Sequence, residues 1–407
     1  MWQRYRWVLV LIFLPSASWA AGLTFGPRAE LTHPGKAQEV RLSGAAVAVA
    51  RDGGVFLTWA AQEGQTTNLY LMRVGAGDGG RVRVNPDGMT VDSLHQPPGI
   101  DIGRNGELYI SWSSSKPKPE GTRFASDLRL SRSLDGGRSF DSHLRVNEDR
   151  PISHSFEGLT VAEDGTVVLS WIDSRGGGDK AATYVARIGE RGTRVENTLK
   201  LDGDTCVCCR VDVTTGPKNV VAVVWRKVFP GNIRDMVLAV SRDGARSFAA
   251  PVLVHADGWQ IAACPHRGGT IDMDESGRLY VAWYTEGPQD QPRLLFTISP
   301  DGRRFMEPKR LDSSTTSIPD HVRLAVDASG RALTAWEDST AVRQRVLLRY
   351  TTDGETFSPI HVLSRAIKAY APSIAVSPTG EFVVVWHEEH FPVTKTVIQP
   401  IHLDHTR

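Results

Sequence analysis

The stretch LTVAEDGTVVLSW, residues 159–171, contains the repeating pattern on which the fold prediction depends. An alternating apolar run leads to Gly165, a residue suited to a tight turn, and a second β-like run then ends at Trp171. Seven such runs occur, 53, 59, 54, 58, 53 and 50 residues apart, and each has Gly or Asn six positions before its tryptophan. The seven tryptophans are Trp59, Trp112, Trp171, Trp225, Trp283, Trp336 and Trp386.

Each repeat predicts a four-stranded unit. A third apolar run follows the tryptophan, as in LRLSRS (128–133), and a weaker fourth follows that, as in HLRVN (143–147). Four strands recurring about every 50 residues are typical of β-propeller blades. The seventh repeat lacks a fourth strand, which residues 23–31 can supply, thereby hiding both edges of the ring. We therefore predict an all-β, seven-bladed propeller of four-stranded antiparallel blades, closed by the N-terminal strand, as one domain over residues 21–407.

The N-terminus and the composition restrict the location and the partners. Residues 1–20 combine two arginines, an apolar run at 7–14 and small residues around Ala20, the pattern of a cleaved secretory signal peptide. No later segment has the roughly 18 consecutive apolar residues of a membrane span. With 47 basic and 46 acidic residues, the chain has no electrostatic case for binding nucleic acid. We expect a soluble monomer that is periplasmic or secreted, in an oxidising compartment.

A turn that recurs between the third and fourth strands resembles the Asp-box, or BNR repeat, of the sialidase superfamily. The best copy is SLDGGRSF (133–140), the second is SRDGARSF (241–248), and shortened copies are SPDGRRF (299–305) and TTDGETF (351–357). Asp and Ser side chains satisfy the turn amides, and Gly adopts a positive φ. Because one fold can support many functions, the resemblance implies an architecture more firmly than a reaction.

The resemblance implies an exo-α-sialidase or related glycosidase as one function. Such an enzyme binds the substrate carboxylate with three arginines and uses a Tyr–Glu pair as nucleophile. In this chain the candidates are Arg210, Arg267 and Arg323, with Tyr284 and Glu337. The Arg-Ile-Pro motif of sialidases is absent, the nearest sequence being Pro-Arg-Ala at 27–29, and familiar sialidases have six blades rather than seven.

Counting from the tryptophans also predicts a metal site. The loop before each innermost strand and the loop after each second strand lie on one face of a propeller, called the hub face below. We place eight ligand-type residues there: His95, His154, Cys206, Cys208, Cys209, Cys264, His266 and His321. The loop after Trp386 adds His387, Glu388, Glu389 and His390. Imidazoles and thiolates suit copper first and zinc second, and the architecture resembles seven-bladed copper enzymes whose hub histidines hold the metal.

Other interpretations of these motifs remain open. The four cysteines can instead form two disulfides, with Cys206 or Cys209 pairing with Cys264. Arg210 rather than His follows the CxxC motif, which argues against covalent haem, and no helix follows the GxGxxG at 75–80, which argues against a nucleotide cofactor. Three functions follow: an exported metal-binding protein, a glycosidase, or a platform that binds a small molecule, glycan or protein.

Overall fold

The chain folds into a closed ring of seven antiparallel sheets. The computed structural model describes residues 9–11, 22–33, 41–75, 80–92, 96–117, 120, 124–175, 181–189 and 191–404. Within these ranges the sheets follow one another in chain order, and each innermost strand contacts the innermost strands of both neighbouring sheets around the whole ring. The predicted seven-bladed propeller is confirmed. Among the described residues, no helix is long and apolar enough to cross a membrane.

The first three blades are regular four-stranded sheets, and in each the strands run in chain order from the innermost outward. Blade 1 consists of Ala46–Val49, Val55–Glu63, Thr66–Arg73 and Arg81–Arg83. Blade 2 consists of Gly99–Ile102, Leu108–Ser115, Ser126–Ser133 and Ser142–Arg145. Blade 3 consists of His154–Val161, Val167–Asp173, Ala181–Gly189 and Arg194–Thr205.

The next three blades have outer strands of only two residues. Blade 4 consists of Asp212–Gly216, Val220–Arg226, Met236–Ser241 and Val252–Leu253. Blade 5 consists of Gly269–Met273, Leu279–Thr285, Arg293–Ser299 and Lys309–Arg310. Blade 6 consists of Ile318–Val326, Ala332–Ser339, Gln344–Thr351 and His361–Val362. The helical segments of the described chain are three short 3₁₀ turns, Pro217–Asn219, Pro230–Asn232 and Gly287–Gln289.

Blade 7 joins the two ends of the chain. Its strands Ala369–Val376, Phe382–His390 and Val393–Leu403 are completed by Ala29–Thr32, which pairs antiparallel with Val393–Leu403. Leu23–Phe25 pairs with the same C-terminal strand, so the predicted closure by the N-terminal strand is confirmed. Within the predicted signal peptide only Leu9–Leu11 is described, and it pairs with Ala29–Thr32.

The tryptophan register reflects one structural unit in every blade. All seven tryptophans are buried, with exposures of 2% or less. The turn residue six positions earlier has a positive φ in every case, from 60° at Asn219 to 88° at Gly106 and Gly330. Glycine adopts this conformation without a steric penalty, and asparagine tolerates it. Each blade therefore combines a left-handed turn with a tryptophan that fills the space between neighbouring sheets.

The turns between third and fourth strands, on the face opposite the hub face, are held by aspartate side chains. Asp135 accepts hydrogen bonds from two backbone N–H groups and, at 2.6 Å, from the Ser139 hydroxyl. Asp243 makes the same set of bonds, and Asp301 and Asp353 each accept two backbone N–H bonds. These hydrogen bonds stabilise the carboxylate form, so the pKa of Asp243 is lowered to about 2.

Aspartates on the innermost strands link neighbouring blades. Asp101 of blade 2 accepts the backbone N–H of Val161 in blade 3, at 2.7 Å. Asp272 of blade 5 makes the corresponding bond to Val326 of blade 6, also at 2.7 Å. Burial raises the pKa of Asp272 to about 7, because the charged form is poorly solvated at the hub. Such bonds fix the positions of the innermost strands and thus of the hub-face loops that begin them.

Candidate functional site

Two arginines lie close together on the hub face. Arg323 belongs to the innermost strand of blade 6, and Arg210 lies two residues before that of blade 4. Burial, and then the charge of Arg210, lower the pKa of Arg323 to about 10. Within the described part of the chain, the partly buried Arg323 guanidinium makes no hydrogen bond or salt bridge, whereas Arg210 donates to the Glu157 carbonyl at 2.8 Å. The charges of Asp212 and Glu337 also act on Arg323, but neither forms a salt bridge with it, so the guanidinium is available to bind an anion.

A histidine–glutamate pair lies beside these arginines. His321 Nδ1 is 3.2 Å from Glu337 Oε1, and the imidazole is 45% exposed. Glu337 is buried and also accepts the Ala371 backbone N–H and the Gln344 amide, both at 2.7 Å. Burial lowers the pKa of His321, but the hydrogen bond to Glu337 and the charges of Asp320 and Glu337 outweigh it, so the pKa is raised. Glu337 therefore fixes the ring and leaves Nε2 for proton transfer.

A bulge in the innermost strand of blade 6 places this histidine. The pairing register shifts between Asp320 and Arg323, and His321 has a φ of 46°. Bulges reorient side chains next to functional sites, and a positive φ at a residue other than glycine requires support from its surroundings. His321 lies within the bulge and Arg323 resumes the pairing directly after it, so the bulge sets the orientation of the imidazole relative to the guanidinium.

The predicted Tyr284–Glu337 pair is not formed, because each residue has another partner. The Tyr284 hydroxyl donates to Glu286 Oε1 at 2.5 Å, and Glu337 is bound to His321 as described above. Tyr284 is only 1% exposed, and burial raises its pKa. Arg267 stacks 4.2 Å above the tyrosine ring and donates to Asp320 at 2.9 Å, so its charge is already paired. Of the three predicted clamp arginines, the structure brings Arg210 and Arg323 together.

Glu286 is a site residue that the sequence pattern did not single out. It lies two positions after Tyr284, in the loop that follows the second strand of blade 5. Side chains two positions apart on an extended strand lie on the same side. Counting two positions on from Tyr284 would therefore have predicted that Glu286 lies beside it. The loop after each second strand lies on the hub face, which brings Glu286 within 3.6 Å of the Arg267 guanidinium.

Three of the eight predicted metal ligands form one buried cluster. The Sγ atom of Cys206 lies 3.0 Å from that of Cys209 and 4.0 Å from that of Cys208, and all three sulfurs lie within 4.8 Å of one another. Hydrogen bonds from the Cys208 and Cys209 thiols lower the pKa of Cys206. Cys264 is exposed and separate from the cluster, and none of the four cysteines is disulfide-bonded.

The predicted histidine ligands that the structure describes are dispersed. His154 is buried, with Nδ1 2.7 Å from the Ser126 carbonyl and Nε2 3.5 Å from Asp173. His266 is exposed, with its ring centroid 6.1 Å from that of Phe156. His321 belongs to the pair with Glu337, and His95 lies outside the described residues. Among the residues that the structure describes, only the three clustered cysteines have metal-binding spacing.

The His387–His390 segment supports the ring closure. Glu388 is fully buried and pairs with Arg28 at 3.0 Å, just before the closing strand Ala29–Thr32. The same carboxylate accepts the Trp386 indole N–H at 2.8 Å, and His387 Nε2 lies 2.9 Å from the Ser43 carbonyl of blade 1. These contacts join blade 7 to the N-terminal segment and to blade 1.

Comparisons with known proteins identify the fold. No protein-family model and no curated protein matches the chain. A protein of unknown function from Dyadobacter fermentans DSM 18053 is 12% identical, with a TM-score of 0.55 over 94% of this chain and 100% of that one. An ulvan lyase bound to GlcA(1-4)Rha3S is 11% identical, with a TM-score of 0.57 over 87% and 94%. The Hadza microbial sialidase is 11% identical, with a TM-score of 0.50 over 96% of both chains. The chain thus has a sialidase-like propeller fold.

Proposed function

We propose that the protein is an exported BNR-repeat enzyme that binds an acidic saccharide at the hub face and cleaves it. The observation that carries this proposal is the Arg323 guanidinium, which lies next to Arg210 and makes no hydrogen bond or salt bridge among the described residues. The charges of Asp212 and Glu337 act on it, but neither carboxylate binds it directly. A carboxylate on the substrate would form that direct contact. Guanidinium groups bind carboxylates through charge-assisted hydrogen bonds that contribute about 1.5–3 kcal/mol each.

His321 is the proposed proton-transfer group. Its Nδ1 is directed at Glu337, and 45% of the side chain is exposed on the same face as Arg323. On a uronate substrate, the arginines would stabilise the negative charge that develops on the carboxylate when the adjacent carbon loses its proton. Nε2 would accept that proton from C5, a C4–C5 double bond would form, and the C4–O bond would break as the leaving oxygen takes up a proton from solvent water.

Elimination fits these residues better than a sialidase-type displacement. A displacement needs an accessible nucleophile, and the Tyr284 side chain is only 1% exposed, although its hydroxyl is paired with Glu286. Among the structural neighbours, the ulvan lyase is bound to a glucuronate-containing saccharide, which favours the same substrate class. The four aspartate turns favour the BNR-repeat assignment. The signal-like residues 1–20 favour export.

The test compares two substrate classes with the same enzyme. Uronate-containing polysaccharides are assayed by the ultraviolet absorbance of the unsaturated product, and a fluorogenic sialic-acid glycoside by fluorophore release. We expect uronate cleavage that falls at least about 100-fold in Arg323→Met and in His321→Gln, because each removes a group required in the transition state. Arg303→Met, an exposed arginine on the opposite face, should retain full activity.

Two results would contradict the proposal in different ways. Fluorophore release without uronate cleavage would replace elimination by hydrolysis of a sialoside. Binding of an acidic saccharide that is unchanged in Arg323→Met would show that this pair of arginines is not the site.

A further inference from the structure

We propose that Cys206, Cys208 and Cys209 form a buried site that binds one copper(I) ion through three thiolates. This site lies beside the saccharide site, in the connection between the outermost strand of blade 3 and the innermost strand of blade 4. It is independent of the proposed saccharide chemistry, and neither requires the other.

The backbone already brings the three sulfurs together. The Cys206 N–H donates to the Arg226 carbonyl at 2.9 Å, and Val211 N–H donates to the Phe156 carbonyl at 3.1 Å, so both ends of the segment are fixed. A metal–thiolate bond of about 2.3 Å implies sulfurs about 4 Å apart in a trigonal site. The observed separations of 3.0 and 4.0 Å require only a small outward movement of Cys209.

The charge around the cluster favours bound thiolates. Arg226 is fully buried, and its three hydrogen bonds go to the carbonyls of Arg267, Arg234 and Tyr284. Arg234 donates to Cys206 Sγ at 3.3 Å, and its Nε is buried without an acceptor among the described residues. Three thiolates and copper(I) carry a charge of −2, which these two guanidinium ions neutralise. Buried cations without a matched anion are unfavourable, and the occupied site supplies that anion.

A buried carboxylate near Arg226 does not form a salt bridge with it. Asp235 is close enough to Arg226 for their charges to interact, but it accepts the backbone N–H groups of Gly258 and Trp259, at 3.1 and 3.3 Å. Arg226 makes no salt bridge within the described part of the chain. The sulfur cluster is a second place for negative charge near this buried guanidinium, because the charge of Arg226 also acts on Cys206.

The ligand set favours copper(I) over zinc. Structural zinc sites are closed by four ligands in tetrahedral geometry, and among the described residues no fourth histidine, cysteine or carboxylate joins the three sulfurs. Soft thiolates select copper(I), which is stable with three of them. Phe156, Val207 and Val228 pack against the cluster and exclude water from it. This apolar cover suits an ion that is held in its reduced state.

The experiment uses the full chain, reduced and desalted without oxygen, and copper(I) supplied as its bicinchoninate complex. We expect transfer of one equivalent, loss of transfer in Cys206→Ser, Cys208→Ser and Cys209→Ser, and full transfer in the matched control Cys264→Ser. Copper X-ray absorption should show three sulfur ligands. Because a serine variant can fail to fold, maleimide labelling of wild-type protein gives a second measurement: copper should protect three thiols and leave only Cys264 reactive.

Several results would overturn the proposal. These are uptake below about 0.1 equivalent by fully reduced protein, uptake that persists in the serine variants, or labelling of the clustered thiols in the loaded protein. Tight binding of zinc(II) without copper(I) would refute the choice of metal. A Cys206–Cys209 disulfide that resists reduction in the native protein would show that the cluster is a structural cross-link.

Discussion

Replacing Arg323 by methionine should stabilise the fold and weaken substrate binding. Arg323 is held next to Arg210 without a hydrogen bond or salt bridge in the described chain. Burial and the charge of Arg210 outweigh the charges of Asp212 and Glu337, so its pKa is lowered from 12.5 to about 10. A lowered pKa means that the folded state disfavours the charged guanidinium. At pH 7 the group is charged in both the folded and unfolded states, so removing the charge removes this unfavourable interaction.

The expected gain follows from the size of the shift. At about 1.36 kcal/mol per pKa unit, the shift corresponds to roughly 3 kcal/mol, and screening by water at the open hub face reduces it to about 1–2 kcal/mol. At about 2.1 cal/mol/K per residue, the unfolding entropy of a 407-residue chain is about 0.85 kcal/mol/K. Dividing the gain in free energy by this entropy predicts a rise in Tm of about 1–2 °C. Loss of the charge-assisted hydrogen bonds should weaken binding of an acidic saccharide about 100-fold.

Differential scanning calorimetry of wild type and variants at pH 7 tests the stability, and ligand-induced shifts of Tm test the binding. Arg345→Met is the matched control in the same blade. Its guanidinium pairs at 2.6 Å with the buried carboxylate of Asp338, so its loss should destabilise the fold by about 1–3 kcal/mol.

The opposite signs of the two variants make the reasoning refutable. If Arg323→Met lowered Tm as much as Arg345→Met does, Arg323 would have a stabilising partner and would not be reserved for a ligand. An equal ligand-induced shift of Tm in wild type and Arg323→Met would lead to the same conclusion.

Two further predictions concern the other ion pairs. His321→Gln should lower the free energy of unfolding by up to about 1 kcal/mol at pH 5.5 and by less at pH 8.5. The raised pKa of His321 stabilises the fold below pH 6.5, and this contribution disappears as pH rises through the pKa of the folded state, whereas the lowered pKa of Glu337 contributes above pH 4.5. An equal loss of Tm at both pH values would contradict this. Arg28→Met should lower the free energy of unfolding by about 2–4 kcal/mol at pH 7 and accelerate amide exchange in the closing strand. The reason is that Glu388, whose pKa is lowered, stays charged and buried without its arginine partner. Arg104→Met breaks only an exposed ion pair and should leave both measurements unchanged, so a similar loss there would refute the buried-pair argument.

The fold was predictable because its signals are local. A glycine or asparagine six positions before a tryptophan specifies a left-handed turn and a buried indole in the same blade, and neither depends on distant residues. Pairing of the N-terminal strand with Val393–Leu403 was also predictable, since the seventh repeat lacked an outer strand. The apolar runs that lead to the tryptophans were correctly assigned to strands, and the residues six positions earlier to turns.

The partners of the site residues were not predictable in the same way, because the loops differ in length. His154, Cys208 and His266 all lie seventeen positions before a tryptophan. His154 begins its innermost strand, however, whereas Cys208 and His266 precede theirs by four and three residues. Equal spacing from the tryptophan therefore corresponds to different positions relative to the innermost strand. Among the described candidates, only the three cysteines, which are neighbours in sequence, form a cluster.

The two proposed sites use residues of one segment, the connection between the last strand of blade 3 and the first strand of blade 4. The sequence pattern of that segment therefore could not assign its residues to separate sites. Cys209 and Arg210 are adjacent, yet the cysteine side chain is buried in the sulfur cluster while the arginine charge acts on Arg323. The Val211 N–H bond to the Phe156 carbonyl fixes the chain just beyond both residues. One short segment can thus hold a buried soft-metal site behind the hub face and present a cation on it, because successive side chains of an extended or turning chain point in different directions.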